Sequence, residues 1–233
     1  AEELQARSQA AGSPAVRTTA ATFHRALRRL TDGDELGPPH EDDDPSTASL
    51  RYGSTTYRIV VKVLRREYGS AWAEAEPLSH DWRRQLSGAH VQPIHALVVL
   101  IAAAEQLPAT TGRARIRLRR LMREHRRVLE SWAGDCPENY APMLALAQAE
   151  LAGLAGRYRE ALTNYEHALA RAEAERMPWL AGLAADRLAA RMTREGHTTL
   201  AEQSRARARA LYRRWGALAL ALTLALAEGE RMH

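Results

Sequence analysis

Gly156-Arg157-Tyr158-Arg159-Glu160-Ala161, followed by Tyr165 and Ala168, is the stretch that decides the fold. Forty residues on, Gly196 is followed by Ala201 at the same +5 offset and by Ala208 at the same +12 offset. Positions +5 and +12 lie two turns apart on one helix face, where a small side chain lets a partner helix approach closely. A glycine ahead of them can take the φ > 0 geometry that closes the turn between two helices. Gly69, with Trp72 and Ala75, reads as a looser third copy. The spacing points to repeated helix hairpins with a period near 40, against chance recurrence in an alanine-rich chain.

Helical patterning continues on both sides of this motif. Phe23, Ala26, Leu27 and Leu30 share one face of a short helix over 22–30, which Asp32-Gly33-Asp34 stops. Two adjacent prolines, Pro45 and the acidic run Glu41 to Asp44 make 37–49 a mobile loop. Helices are expected over 50–67, 71–87, 91–106, 113–133, 142–155, 158–176, 179–194, 199–215 and 217–228. Their short links, many carrying Gly or Pro, imply antiparallel hairpins. The chain therefore divides into a weakly ordered segment 1–21, a helical domain 22–217 with a mobile acidic loop at 33–49, and an apolar helix and tail at 218–233. In that last segment Leu218, Leu220, Leu222, Leu224 and Leu226 leave almost no polar face, so it is expected to pack on the array or on a second copy of the chain.

Composition agrees with an all-α protein. Isoleucine occurs only at positions 59, 94, 101 and 116, and Phe23 is the single phenylalanine, whereas alanine, leucine and arginine dominate. Sheets select β-branched and aromatic residues, and helices select the residues abundant here. At 233 residues the chain can bury its own core. Of the 33 Lys+Arg only Lys62 is lysine, which leaves 32 arginines. The net charge of +5 and pI near 9.8 permit nucleic acid, anionic lipid or an acidic protein as partner without selecting one. Near-total replacement of lysine by arginine also fits a simple codon bias. Cys136, alone, excludes an internal disulfide and any CxxC metal site. No secretory signal and no stretch approaching ~18 apolar residues is evident, and the mean hydropathy is −0.42, so a cytoplasmic protein without a membrane span is expected.

Several blocks carry a family resemblance. Asp135-Cys136-Pro137-Glu138-Asn139-Tyr140, Ala149-Glu150, Gly156 with Glu160-Ala161, and Tyr165-Glu166-His167-Ala168 are followed by Leu188-Ala189-Ala190-Arg191 and by residues 210–217. Together with Arg28-Arg29-Leu30-Thr31 they resemble the tetratricopeptide-like helical-repeat region of large bacterial signalling proteins. In those proteins a serine/threonine kinase and an ATPase module precede the repeats, and a sensor histidine kinase follows. Related solenoids occur in ATPase-type transcription activators. The likeness spans roughly 22–217, tightly after Trp132, and departs after Ala217, where the family usually continues with a polar helix containing a lysine. It implies hairpins stacked as a right-handed α-solenoid used for sensing. The family's chemistry lies in modules with motifs not found in these residues: no G-x-x-x-x-G-K-[ST], no glycine-rich loop with a partner lysine, no H-R-D or D-F-G, no G-x-S-x-G.

Other constellations are weaker. His90 and His95 flank Pro93 and would not share a helix face, so no metal site is expected there. His80-Asp81 reads as two solvated groups, His24 as a boundary residue, and Cys136 as a small residue in a loop. Arg113, Arg115, Arg117, Arg119, Arg120, Arg123, Arg126 and Arg127 surround an apolar stripe from Ile116 to Trp132. That helix could lie along phosphates but carries no base-reading residues; a solvated face is the simpler reading and nucleic acid is not the expected partner.

The resemblance also implies where a partner would dock, because the first helix of each hairpin lines the concave surface. Counting back from the turn glycines gives Met143, Leu146 and Glu150, then Leu183, Asp186 and Ala190, and for Gly69 it gives Thr56, Ile59 and Val63 with Arg66 beyond. A groove edged by Arg66, Glu150 and Asp186 would suit a peptide helix or a small amphipathic ligand. Mere packing between hairpins is the alternative. The expected function is thus a non-enzymatic binding and regulatory domain, without cofactor, that recognises a protein segment or small effector, with a homodimer through the C-terminal helix as a further partner. The alternative is a free-standing biosynthetic enzyme using Glu150, Asp186 or His95 for acid and base work; a nucleic-acid-associated regulator is the third reading.

Overall fold

A computed structural model describes residues 28–32 and 48–229. Every regular element among them is helical. After a helical turn at 28–31 come α1 (Ala48–Leu64), α2 (Tyr68–Ala75), α3 (Trp82–Gln85), α4 (Val91–Gln106) and α5 (Gly112–Asp135). They are followed by α6 (Pro137–Leu154), α7 (Tyr158–Ala174), α8 (Pro178–Arg194), α9 (Thr198–Trp215) and α10 (Leu218–Gly229). The expected segment 1–21, most of the helix at 22–30, nearly all of the acidic loop and residues 230–233 lie outside the described residues.

Three expectations about helix boundaries and turns need correction. The helix expected over 71–87 breaks into α2, a 3-10 turn at Glu76–Leu78 and the short α3, with Pro77 at the break, where a proline removes a backbone donor. The helix expected to begin at Pro142 begins at Pro137, which fits a first helical position, and Pro142 lies inside it. The third copy of the hairpin turn is displaced by three residues. Arg66, with φ 62°, makes that turn, and Gly69 lies within α2. In this corrected register the buried Ala71 takes the +5 position.

One turn geometry recurs. At Arg66, Gly156, Arg176, Gly196 and Gly216 φ is positive, between 56° and 88°. At each, the amide donates to the carbonyl three residues back and the next amide to the carbonyl five residues before it, as in Gly156 to Gly153 (3.2 Å) and Arg157 to Ala152 (2.9 Å). This is the Schellman closure of a helix. The last four turn residues stand 20 apart, so a period of 40 per hairpin is built from two nearly equal helices with minimal links.

Each helix from α4 to α9 packs against its successor, and α4 also touches α1, α2 and α6. Helix α4 is mostly apolar and is buried from Val91 through Ala104 apart from Ile94, with Gln92 and His95 the polar exceptions in that stretch, the pattern of a helix enclosed on every side. The stretch Val91–Ala109 is, on length and composition, apolar enough to cross a bilayer, which corrects the expectation that none approaches that limit. Within this fold 72% of its apolar window is buried in protein. The outer helices bury one stripe each: Ala161, Tyr165, Ala168, Leu169 and Ala172 on α7, and Ala201, Ala208, Leu211 and Tyr212 on α9. Alanine does sit at the +5 and +12 positions, fully or almost fully buried.

Arg66 and Arg176 hold a left-handed conformation that costs a residue with a Cβ about 1 kcal/mol. Arg176→Gly is therefore expected to stabilise the fold by roughly 0.5–1 kcal/mol, and Gly196→Ala to destabilise it by about 1 kcal/mol. Urea unfolding followed by circular dichroism at 222 nm reads both, and no change at either position would contradict the turn assignment.

Candidate functional site

Four charges stand inside otherwise apolar helical runs: Glu105 at the end of α4, Glu150 in α6, and the adjacent Asp186 and Arg187 in α8. Burying an ion in such a run is costly unless a partner is buried with it. The fold brings them together. The Arg187 Nε donates to Glu150 Oε1 at 2.6 Å, while its Nη2 donates to Glu150 Oε2 at 2.8 Å and to Glu105 Oε1 at 2.6 Å. Arg187, Glu150 and Asp186 are each 1% exposed. Arg194 closes the outer side, its Nη2 donating to both Glu105 oxygens at 2.6 and 2.7 Å. Arg66, in the turn after α1, pairs with Asp186 across 120 residues of sequence, its Nε donating to Oδ2 at 3.0 Å and its Nη2 to Oδ1.

Three tyrosines surround this network. The Arg187 guanidinium lies 5.0 Å from the Tyr68 ring centroid, and Tyr165 and Tyr212 are buried beside the acidic groups. Burial pushes the phenols of Tyr68, Tyr165 and Tyr212 up, with Glu150 adding to the effect on Tyr165 and Asp186 on Tyr212. Burial alone would raise the Glu105 carboxyl, but Arg187 and Arg194 outweigh it and hold that group below the usual range. The cluster therefore presents carboxylates paired with guanidinium groups, beside phenols that burial holds protonated. None of these shifts leaves a group trading protons near neutral pH. Two donors inside it, Arg187 Nη1 and the Tyr212 hydroxyl, are buried without a hydrogen-bond partner. Close backbone approach shapes the site: a Cβ on Gly182 would overlap the Tyr212 ring, and one on Gly153 would overlap the Arg191 guanidinium.

Arg66 pairs with Asp186, and Glu150 pairs with Arg187, so each of these three residues is held by a partner inside the fold. Met143 and Leu183 are buried core residues, 4% and 0% exposed, and show no polar role. Thr56, Ile59, Val63 and Leu146 are likewise buried. Arg187, Glu105, Tyr68 and Tyr212 escaped sequence reasoning, although an arginine in the middle of the apolar run of α8 was itself a sign of a buried partner.

His95 belongs to a second cluster. It and His125 pack with Trp82, the imidazole centroids lying 5.2 and 4.3 Å from the indole and 6.1 Å from each other. The Thr56 hydroxyl donates to the Tyr52 carbonyl (2.7 Å), so its oxygen accepts from His95 Nδ1 (2.8 Å). The His125 Nδ1 donates to the Leu121 carbonyl (2.9 Å), leaving a buried Nε2 without a partner. Burial, helped by the neighbouring His125, lowers His95 to about 3. Burial also lowers His125 to about 4, against its bond to Leu121 and aided by Arg83. Both imidazoles are neutral at physiological pH. No group of three or more His, Cys, Asp or Glu placed to hold a metal ion occurs among the described residues.

Two measurements follow from these clusters. Glu150→Gln removes one charge from a buried pair, and urea unfolding is expected to show a loss of about 3 kcal/mol; a loss below ~1 kcal/mol would mean that the pair is solvated. The histidines have native pKa values below the unfolded 6.5, so the unfolded state binds more protons and their stabilisation, complete above pH 6.5, is lost as pH falls toward 4. At pH 5 the loss is of order 2 kcal/mol per histidine, and a double substitution of His95 and His125 by Gln should flatten the stability profile between pH 6.5 and 5. Against known proteins, the chain matches no family model, no curated protein and no solved structure.

Proposed function

We propose that this chain is a non-enzymatic, tetratricopeptide-like helical-repeat domain that recognises a small effector or a protein segment through the polar cluster on its inward-facing helices. In this reading α4, α6 and α8 are the first helices of successive hairpins in a solenoid. The observation that carries it is the chain of ion pairs from Glu105 through Arg187 to Glu150, which crosses those three helices. A domain whose hairpins contact chiefly their neighbours transmits a change at such a tie into a change of curvature.

The chemistry favours recognition over catalysis. The carboxylates of the cluster face arginine and its phenols are held protonated, so it offers hydrogen bonds and charge rather than proton transfer. The occupant is a group that accepts hydrogen bonds from Arg187 Nη1 and the Tyr212 hydroxyl, such as a carboxylate or phosphate. It enters past the Arg66–Asp186 pair, where the Arg66 side chain is 24% exposed.

Differential scanning fluorimetry with mono- and dicarboxylates, phosphate esters and acidic peptides tests this. A binder is expected to raise the unfolding midpoint of the native chain, and Tyr212→Phe to abolish most of that rise. The substitution removes an unpaired buried hydroxyl, so it leaves intrinsic stability unchanged or up to about 1 kcal/mol higher. An undiminished rise in Tyr212→Phe, or consumption of the bound compound, would defeat the reading.

A further inference from the structure

Helix α5 carries a charged face that the proposed recognition site does not use. Of its eight arginines, two are committed to the fold: Arg115 Nη1 donates to the carbonyls of Leu107 (2.6 Å) and Thr110 (3.2 Å), and Arg126 pairs with Glu130 (2.5 Å). The other six, Arg113, Arg117, Arg119, Arg120, Arg123 and Arg127, are exposed, and none is within salt-bridge distance of a carboxylate among the described residues. At 100° per residue these six and Ile116 fall within an arc of about 160°, along roughly 21 Å of helix. The opposite face, with Leu118, Met122, His125 and Leu129, is buried against the protein, so the arginine face is held outward by the core.

We infer that this face docks on the sugar-phosphate backbone of a nucleic-acid duplex, independently of base sequence. Six planar guanidinium groups, with Glu124 the one carboxylate residue inside their arc between Arg113 and Arg127, leave a surplus of positive charge that matches a polyanion, which carries one negative charge per ~1.7 Å of duplex axis, about 12 along this length. An anionic membrane shares the charge but needs apolar side chains to bury, and the only exposed large hydrophobic residue on the face is Ile116, at 66%. No base-reading arrangement accompanies the arginines, so contact is with phosphates alone.

Fluorescence anisotropy with a labelled duplex of mixed sequence, between 50 and 200 mM NaCl, tests the inference. Contact with four to six phosphates gives a slope of log K against log [NaCl] of about −4 to −5, a loss of roughly two to three orders of magnitude across that range. The variant Arg117→Gln/Arg120→Gln/Arg123→Gln is expected to make the slope shallower by about 3. Arg159→Gln/Arg213→Gln/Arg214→Gln removes the same charge from exposed positions on α7 and α9 and should leave the slope unchanged. Should the first variant lose helicity, Arg120→Gln alone is expected to reduce the slope by about 1. Absence of binding at 50 mM NaCl overturns the inference, as does equal weakening by the control variant. Sedimentation with phosphatidylserine vesicles in the absence of duplex binding would assign the face to a membrane instead.

Discussion

A fully buried guanidinium governs the arrangement of this protein. Arg187 must be matched by carboxylates inside the same low-dielectric space, and those come from two other helices, Glu105 on α4 and Glu150 on α6. Any register shift of α8 against α6 or α4 would leave an uncompensated buried charge. The pair is thus a constraint on specificity more than a source of net stability, because desolvation offsets much of the attraction. Tyr68 stacks on the same group from α2, so four helices are referred to one side chain.

Around that point the fold is assembled from repeated local rules. Five Schellman turns of the same hand reverse the chain, and four of them recur at intervals of 20. Alanines at fixed offsets then let the reversed helices come close. Where even alanine is too large, glycine takes its place, as at Gly182 beneath the Tyr212 ring. The ion pair between Arg66 and Asp186 closes the first described hairpin on a helix 120 residues away, a long-range contact that the local rules do not supply.

The consequences for function divide by surface. Inward, the polar groups are matched to one another, with Arg187 Nη1 and the Tyr212 hydroxyl left over. Outward, α5 sets six arginines without carboxylate partners in water. His95, which sequence reasoning weighed as a metal ligand and as an acid or base, is instead packed with His125 on Trp82 as a neutral ring. Burial, not catalysis, accounts for their lowered affinity for protons.

Helix class, the 40-residue hairpin period and the close-packed alanines were legible because periodicity, turn geometry and side-chain size are local properties, written within a few residues of Gly156 and Gly196. The arginine stripe of α5 was legible for the same reason. Two local readings failed where a residue type has more than one outcome: Gly69 was taken for the turn that Arg66 makes, and Pro142 for a helix start when it lies one turn inside. Glu150, Asp186 and Arg66 could be nominated through the resemblance, but not which charges they pair with. Which charges meet depends on how helices 37 to 120 residues apart in sequence come to lie side by side, and only the tertiary structure decides that. The sequence set charges inside the apolar runs of α4, α6 and α8; packing determined that they are buried and that they neutralise one another.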